Sequence, residues 1–119
     1  MIYTSYFGNI KNLPDGYKLV CISRICPKGM KIKMYGKLAP SQSLLTDYKS
    51  GLLSWEEYTN RDKEETLSLL SPQKVVEELG NNVILLCYEK PEDNCHRHII
   101  RDWLNSAGFE ICEYKKKKA

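Results

Sequence analysis

The strongest constraint on this chain is an unbroken apolar run, Val83-Ile84-Leu85-Leu86-Cys87-Tyr88, which leads through a polar loop into Cys95-His96-Arg97-His98. Six apolar residues without alternation describe a strand buried on both faces, the habit of a central strand in a parallel sheet. Lys90-Pro91-Glu92-Asp93-Asn94 reads as a turn-rich loop, and Asn94 is a suitable N-cap for a helix beginning at Cys95. A strand that needs cover on both faces implies helices on either side. The expected architecture is therefore a single three-layer α/β domain over residues 1–114, with a mainly parallel central sheet flanked by helices, and a basic, disordered tail at 115–119.

The rest of the chain supplies elements in a compatible order. Ile2 to Phe7 and Tyr17 to Ser23 read as strands, and the latter places Arg24 at its carboxyl end. Met30 to Met34 alternates as a short strand or an extended loop. A short helix is expected over Leu44 to Lys49, capped by Ser43 and stopped by Gly51. Ser54-Trp55-Glu56-Glu57 has the form of a capping box, so a helix should run from Trp55 to Leu70. Its inner stripe would contain Asp62, an acid that must either meet a cation such as Arg24 or reach solvent. Pro72 to Leu79 is a further helix stopped by Gly80. Val83 to Tyr114 forms a βαβ unit whose helix stops at Gly108 and whose last strand runs from Phe109 to Tyr114.

The chemistry concentrates where the central strand ends. A cysteine in the first turn of a helix sits among unpaired backbone N–H groups and the positive end of the helix dipole, which favour the thiolate. The same N–H groups can receive an anion. Carboxyl ends of strands are also where open α/β sheets bind ligands. The same residues fit a structural role: cysteine packs well in cores, and His96 shares a helical stripe with Ile99, Ile100 and Trp103.

Composition narrows the class. A chain of 119 residues with 42% apolar and 28% charged residues suits one globular domain, and no apolar run approaches the ~18 residues needed to span a membrane. Met1 to Tyr6 lacks the pattern of a signal peptide, so a cytoplasmic location is expected. The net charge of +3 rests on Lys115 to Lys118; without them 14 basic residues face 15 acidic, a balance of −1. Nucleic-acid binding through Lys31, Lys33 and the tail is the weaker use of these charges; Lys28, Lys31, Lys33 and Lys37 add positive charge around Arg24 that would suit a small anionic ligand, and they equally fit ordinary solvated surface lysines. Five cysteines without a paired Cys-x-x-Cys spacing point to reduced thiols, with Cys21, Cys87 and Cys112 in strand cores. Zinc held by Cys26, Cys95, His96 or His98 matches no compact signature, so no metal and no cofactor are expected.

Thr4-Ser5-Tyr6-Phe7, Pro27, Lys37-Leu38-Ala39-Pro40, and above all Leu86-Cys87-Tyr88-Glu89-Lys90-Pro91-Glu92-Asp93 running into Cys95-His96-Arg97-His98 and Trp103-Leu104 carry a family resemblance. The chain resembles the domain of unknown function 488 family, particularly its short bacterial and phage-like members, over almost its full length. The resemblance implies a three-layer α/β fold and a site at Cys95, His96, Arg97 and Glu89, and no particular reaction. Similar sequences lead one to expect an aromatic residue at Asp62, and often an acid where this chain has Ile22 and Ser23.

Three functions follow as expectations. In the first, the protein binds or acts on a small anionic, possibly nucleotide-like, ligand. Cys95 is then nucleophile or redox thiol, His96 general acid/base and Glu89 its orienting acid; Arg97, Arg24, Ser5 and Tyr6 hold the ligand. Phosphatase chemistry of the Cys-x5-Arg kind is disfavoured, because the loop between cysteine and arginine is absent. In the second, the protein is an interaction or regulatory module in which a buried Arg97–Glu89 ion pair fixes the strand–helix corner. Nucleic-acid binding is the third.

Overall fold

The computed structural model describes residues 1–27 and 32–115. Five strands form one parallel sheet in the order β3-β2-β4-β1-β5, with β1 Ile2–Tyr6, β2 Lys18–Cys21, β3 Lys33–Met34, β4 Val83–Cys87 and β5 Ile111–Glu113. Helices α1 Gln42–Lys49, α2 Trp55–Glu65, α3 Pro72–Leu79 and α4 His96–Ser106 join and flank them. The apolar run occupies the middle of the sheet, where every residue of β4 is buried. Val83 and Leu85 join a core with Val20, Ile22, Leu44, Val75, Leu79, Ile100 and Leu104. Ile84 and Leu86, which alternate to the opposite face, are fully buried as well. Burial on both faces is the reason this strand is apolar throughout.

Local signals place most boundaries. Ser54 and Glu57 form a reciprocal capping box, with Glu57 N–H donating to Ser54 Oγ at 3.1 Å and Ser54 N–H donating to Glu57 Oε1 at 3.0 Å. Helix α2 nevertheless ends at Glu65, and a separate 3-10 turn, Leu67–Leu69, buries Leu67 and exposes Leu69. Helix α1 starts earlier than expected because Ser41, rather than Ser43, accepts from Leu44 N–H at 3.2 Å. Helix α3 begins on Pro72 and stops at Gly80, whose φ of +81° suits glycine. The cap of α4 is Cys95 itself, not Asn94, so the cysteine stands at the threshold of the helix rather than inside its first turn. Met30 lies outside the described residues, and β3 is the short pair Lys33–Met34.

The pairing of β5 could not be read from local pattern. It lies against β1, with Ile2 opposite Ile111, so α4 carries the chain from β4 across β1 to the sheet edge. Arg97 locks this crossover. Its guanidinium is fully buried and donates through Nε to Glu113 Oε1 at 3.0 Å, through Nη2 to Glu113 Oε2 at 2.9 Å, and through Nη1 to the Glu89 carbonyl at 2.6 Å. Thr4 Oγ1 donates to the same carboxylate at 2.7 Å. The acid that neutralises Arg97 is thus Glu113, and Glu89 contributes only its backbone oxygen. An arginine fork needs two coplanar acceptors, which the edge strand presents and the Glu89 side chain, turned toward Cys87, does not.

Removing one partner of this pair leaves a desolvated charge. Arg97→Ala should lower unfolding free energy by about 3–5 kcal/mol, and Arg97→Lys should restore less than half of that because an ammonium cannot reproduce the fork. Urea unfolding monitored by far-UV circular dichroism measures both; an alanine variant within about 1 kcal/mol of wild type would contradict the assignment.

Candidate functional site

Three elements converge at the carboxyl end of the sheet: the end of β2 with the loop to Pro27, the end of β4, and the start of α4. Because β2 and β4 are parallel neighbours, Ile22 and Ser23 emerge beside Cys87. His96, the first residue of α4, bridges the two strands. Its Nε2 lies 2.6 Å from the Ile22 carbonyl and its Nδ1 lies 3.4 Å from Cys87 Sγ. A carbonyl only accepts, so Nε2 carries a hydrogen, and whenever the ring is neutral its Nδ1 lone pair faces the thiol.

Cys87 has three further polar neighbours. Ser23 Oγ lies 3.1 Å from its sulfur and Glu89 Oε2 lies 3.4 Å away, while Cys95 Sγ falls within the same 4.8 Å cluster. Arg97 Nη1 donates to Cys95 Sγ at 3.4 Å. The two thiols titrate as a pair. Hydrogen bonding from Cys95 lowers Cys87, whereas Cys95, which keeps its proton for Cys87 and is buried, is raised. Burial pushes the His96 imidazole down, but Cys95, the Ile22 carbonyl and Asp62 outweigh it and raise the group. Burial likewise opposes ionisation of Glu89, yet its contacts with Cys95 and Cys87 lower it.

A cavity of about 330 Å³ opens on this cluster and is lined by Ser23, Arg24, Pro40, Lys49, Cys87, Glu89 and His96, among others. Of the residues expected from the sequence, Arg24, Glu89 and His96 line it. Cys95, Arg97, Ser5 and Tyr6 do not. Cys95 sits behind Cys87, and Ser5 is buried and accepts from Asn9 Nδ2 at 3.2 Å. Tyr6 lies under the Arg97 guanidinium, 5.8 Å from its ring centroid. Arg24 donates to the Pro40 carbonyl at 3.3 Å, and neither it nor Lys49 is paired with a carboxylate among the described residues. A larger, more open hollow of about 970 Å³ lies on the β5 edge beside His98, Arg101 and Cys112, away from the thiol pair.

The sequence pattern assigns Cys87 to core packing. Its position as the last residue of a central parallel strand was the signal that could have singled it out. Cysteine chemistry also departs from the expectation of reduced thiols throughout. Cys21 and Cys26 are joined in a disulfide, Cα to Cα 6.1 Å, while Cys87, Cys95 and Cys112 are free, and Cys112 is exposed on the edge strand rather than in the core. The loop after β2 curls back on the strand end, bringing two cysteines five positions apart within bridging reach. That bridge closes the segment carrying Ser23 and Arg24. Of the lysines weighed for anion or nucleic-acid contact, Lys37 pairs with Glu78 at 3.0 Å; Lys28, Lys31 and Lys116–Lys118 lie outside the described residues.

Asp62 meets neither of its expected fates. It is fully buried on α2, and neither carboxylate oxygen has a hydrogen-bond partner, the Thr66 hydroxyl lying outside bonding geometry. Burial pushes the carboxyl from 3.8 up to about 6, partly offset by the attraction of His96. The folded chain therefore holds this proton more tightly than the unfolded chain, and stability falls as pH rises from 3.8 to about 6. Asp62→Asn should be more stable than wild type at pH 7 by about 1–3 kcal/mol, with the difference shrinking toward pH 4. Thermal melts across this range check it; an asparagine variant that melts below wild type at neutral pH would contradict it.

No curated protein and no solved structure matches the chain. A family model does: DUF488-N3a, described as the active DUF488-N3 subclade, matches residues 2–108. The match spans β1 through α4, including the thiol cluster and the cavity. The chain belongs to the domain of unknown function 488 family, within that subclade.

Proposed function

We propose that this protein binds and acts on a small anionic molecule through the Cys87 thiol. One observation carries the proposal: two cations that have no carboxylate partner among the described residues, Arg24 and Lys49, line the same cavity of about 330 Å³ as Cys87, His96 and Ser23. A cavity of this size holds a small molecule rather than a polymer. The cations draw an anion to the mouth, and the thiol meets its electrophilic centre at the floor.

The roles follow from the contacts. His96, held by the Ile22 carbonyl, takes the Cys87 proton through Nδ1 and can return it to a leaving group. Glu89 accepts from the same thiol and keeps it turned toward the cavity. Cys95, the nucleophile expected from the helix-start pattern, instead lies in the same buried cluster as Cys87 and favours ionisation of that thiol over its own. Arg97 holds Cys95 and the strand–helix corner rather than the ligand, the part of the structural reading that the Glu113 pair favours.

Native-state alkylation followed by peptide mass mapping tests this. Iodoacetate, an anion, should modify Cys87 about tenfold faster than neutral iodoacetamide does, once each is normalised to a free thiol, and Arg24→Ala combined with Lys49→Ala should erase that preference. Labelling of Cys95 at the same rate as Cys87, or a charge preference unchanged in the double variant, would contradict the proposal.

A further inference from the structure

The same corner has the donor set of a metal centre. Cys87 Sγ, Cys95 Sγ and a ring nitrogen of His96 lie within 4.8 Å of one another, all three residues are buried, and Nδ1 is the nitrogen that faces Cys87. In a tetrahedral zinc site, bonds of about 2.3 Å to sulfur and about 2.05 Å to nitrogen set ligand atoms roughly 3.6–3.8 Å apart. The Cys87 Sγ to His96 Nδ1 separation is 3.4 Å, so an ion fits between them with a shift of a few tenths of an ångström.

Each donor also has the outer partner that metal ligands require. The Ile22 carbonyl fixes the tautomer that leaves His96 Nδ1 bare. Ser23 Oγ stands 3.1 Å from Cys87 Sγ, and Arg97 Nη1 donates to Cys95 Sγ at 3.4 Å. Outer contacts of this kind orient ligands and offset thiolate charge. A second observation points the same way: Asp62, fully buried and without a hydrogen-bond partner, is a negative group acting on His96 from the adjoining helix.

We propose that Cys87, Cys95 and His96 bind a thiophilic divalent cation such as zinc, with the fourth coordination position opening to the cavity beside Glu89. As the ion enters, two S–metal bonds and one N–metal bond form, and the protons of the two thiols leave to solvent; no electron is transferred. Three protein ligands and one exchangeable position is the arrangement of catalytic rather than purely structural zinc sites. Occupancy also regulates the site proposed above, since a metal-bound Cys87 is withheld from alkylation. The inference stands on donor geometry and does not require that the cavity's ligand be anionic.

Cobalt and zinc titrations of the intact protein, without reductant so that Cys21–Cys26 stays bridged, provide the test. Cobalt should bind as one ion per chain with a thiolate-to-metal charge-transfer band and intense visible bands of tetrahedral geometry. Cys87→Ser and Cys95→Ser should each lose about half or more of the charge-transfer intensity, while Cys112→Ser keeps all of it. A wild-type readout guards against variants that fail to fold: zinc should protect Cys87 and Cys95 from alkylation while Cys112 continues to react. Absence of the band in wild type, a band lost with Cys112→Ser instead, or zinc protection of neither buried cysteine would overturn the proposal. The anion-preference experiment on the metal-free protein is read separately, so the failure of either proposal is recognisable.

Discussion

Arg97 occupies a position where a charge is expensive unless its donors are met, and the surrounding architecture meets four of its five N–H groups. Its fork to Glu113 ties α4 to the edge strand, and Nη1 reaches both the Glu89 carbonyl and Cys95 Sγ. The two residues before it are placed at the same corner: Cys95 caps the helix and His96 begins it. A buried ion pair of this sort adds little net stability compared with apolar packing, but it tolerates only one arrangement of its neighbours. Here that arrangement sets His96 between Ile22 and Cys87.

From that placement the polarity of the thiol pair follows. Two sulfurs close together in a desolvated corner cannot both ionise easily, so one proton is shared, and surrounding contacts decide which sulfur yields it. Cys87 faces Ser23, Glu89, His96 and Cys95, whereas Cys95 is covered and faces the guanidinium. The helix-start rule identifies Cys95 because it considers only the backbone of α4. The tertiary structure adds groups from β2 and β4, and these converge on Cys87 at the cavity floor.

The sheet and helices were legible in the residues to an uneven degree. The double-sided burial of Val83 to Cys87, the Ser54–Glu57 box, and the Pro72 and Gly80 boundaries are local matters, and local pattern described them well. Helix α2 stopped short because Leu67 turns inward and Leu69 outward, a choice made by packing rather than period. The insertion of β1 between β4 and β5, and with it the Glu113 partner of Arg97, depends on strand order that no short window contains. Cys87 was obscured by the same run that announced the strand: its apolar neighbours made it look like core. The Cys21–Cys26 bridge was likewise hidden, because five-residue spacing becomes close contact only when the loop folds back.

Asp62 and His96 show what such a corner costs. An unpartnered carboxyl lies near an imidazole that spans two strands, and nearby thiols draw hydrogen bonds from both sides. His96, held by the Ile22 carbonyl with Nδ1 directed at Cys87, is the group on which the corner turns. Imidazole ¹⁵N NMR of the wild-type protein, recorded at a pH high enough for the ring to be neutral, tests this most directly. The Nε2–H tautomer, with Nδ1 unprotonated, is expected; an Nδ1–H tautomer at His96 would contradict this arrangement.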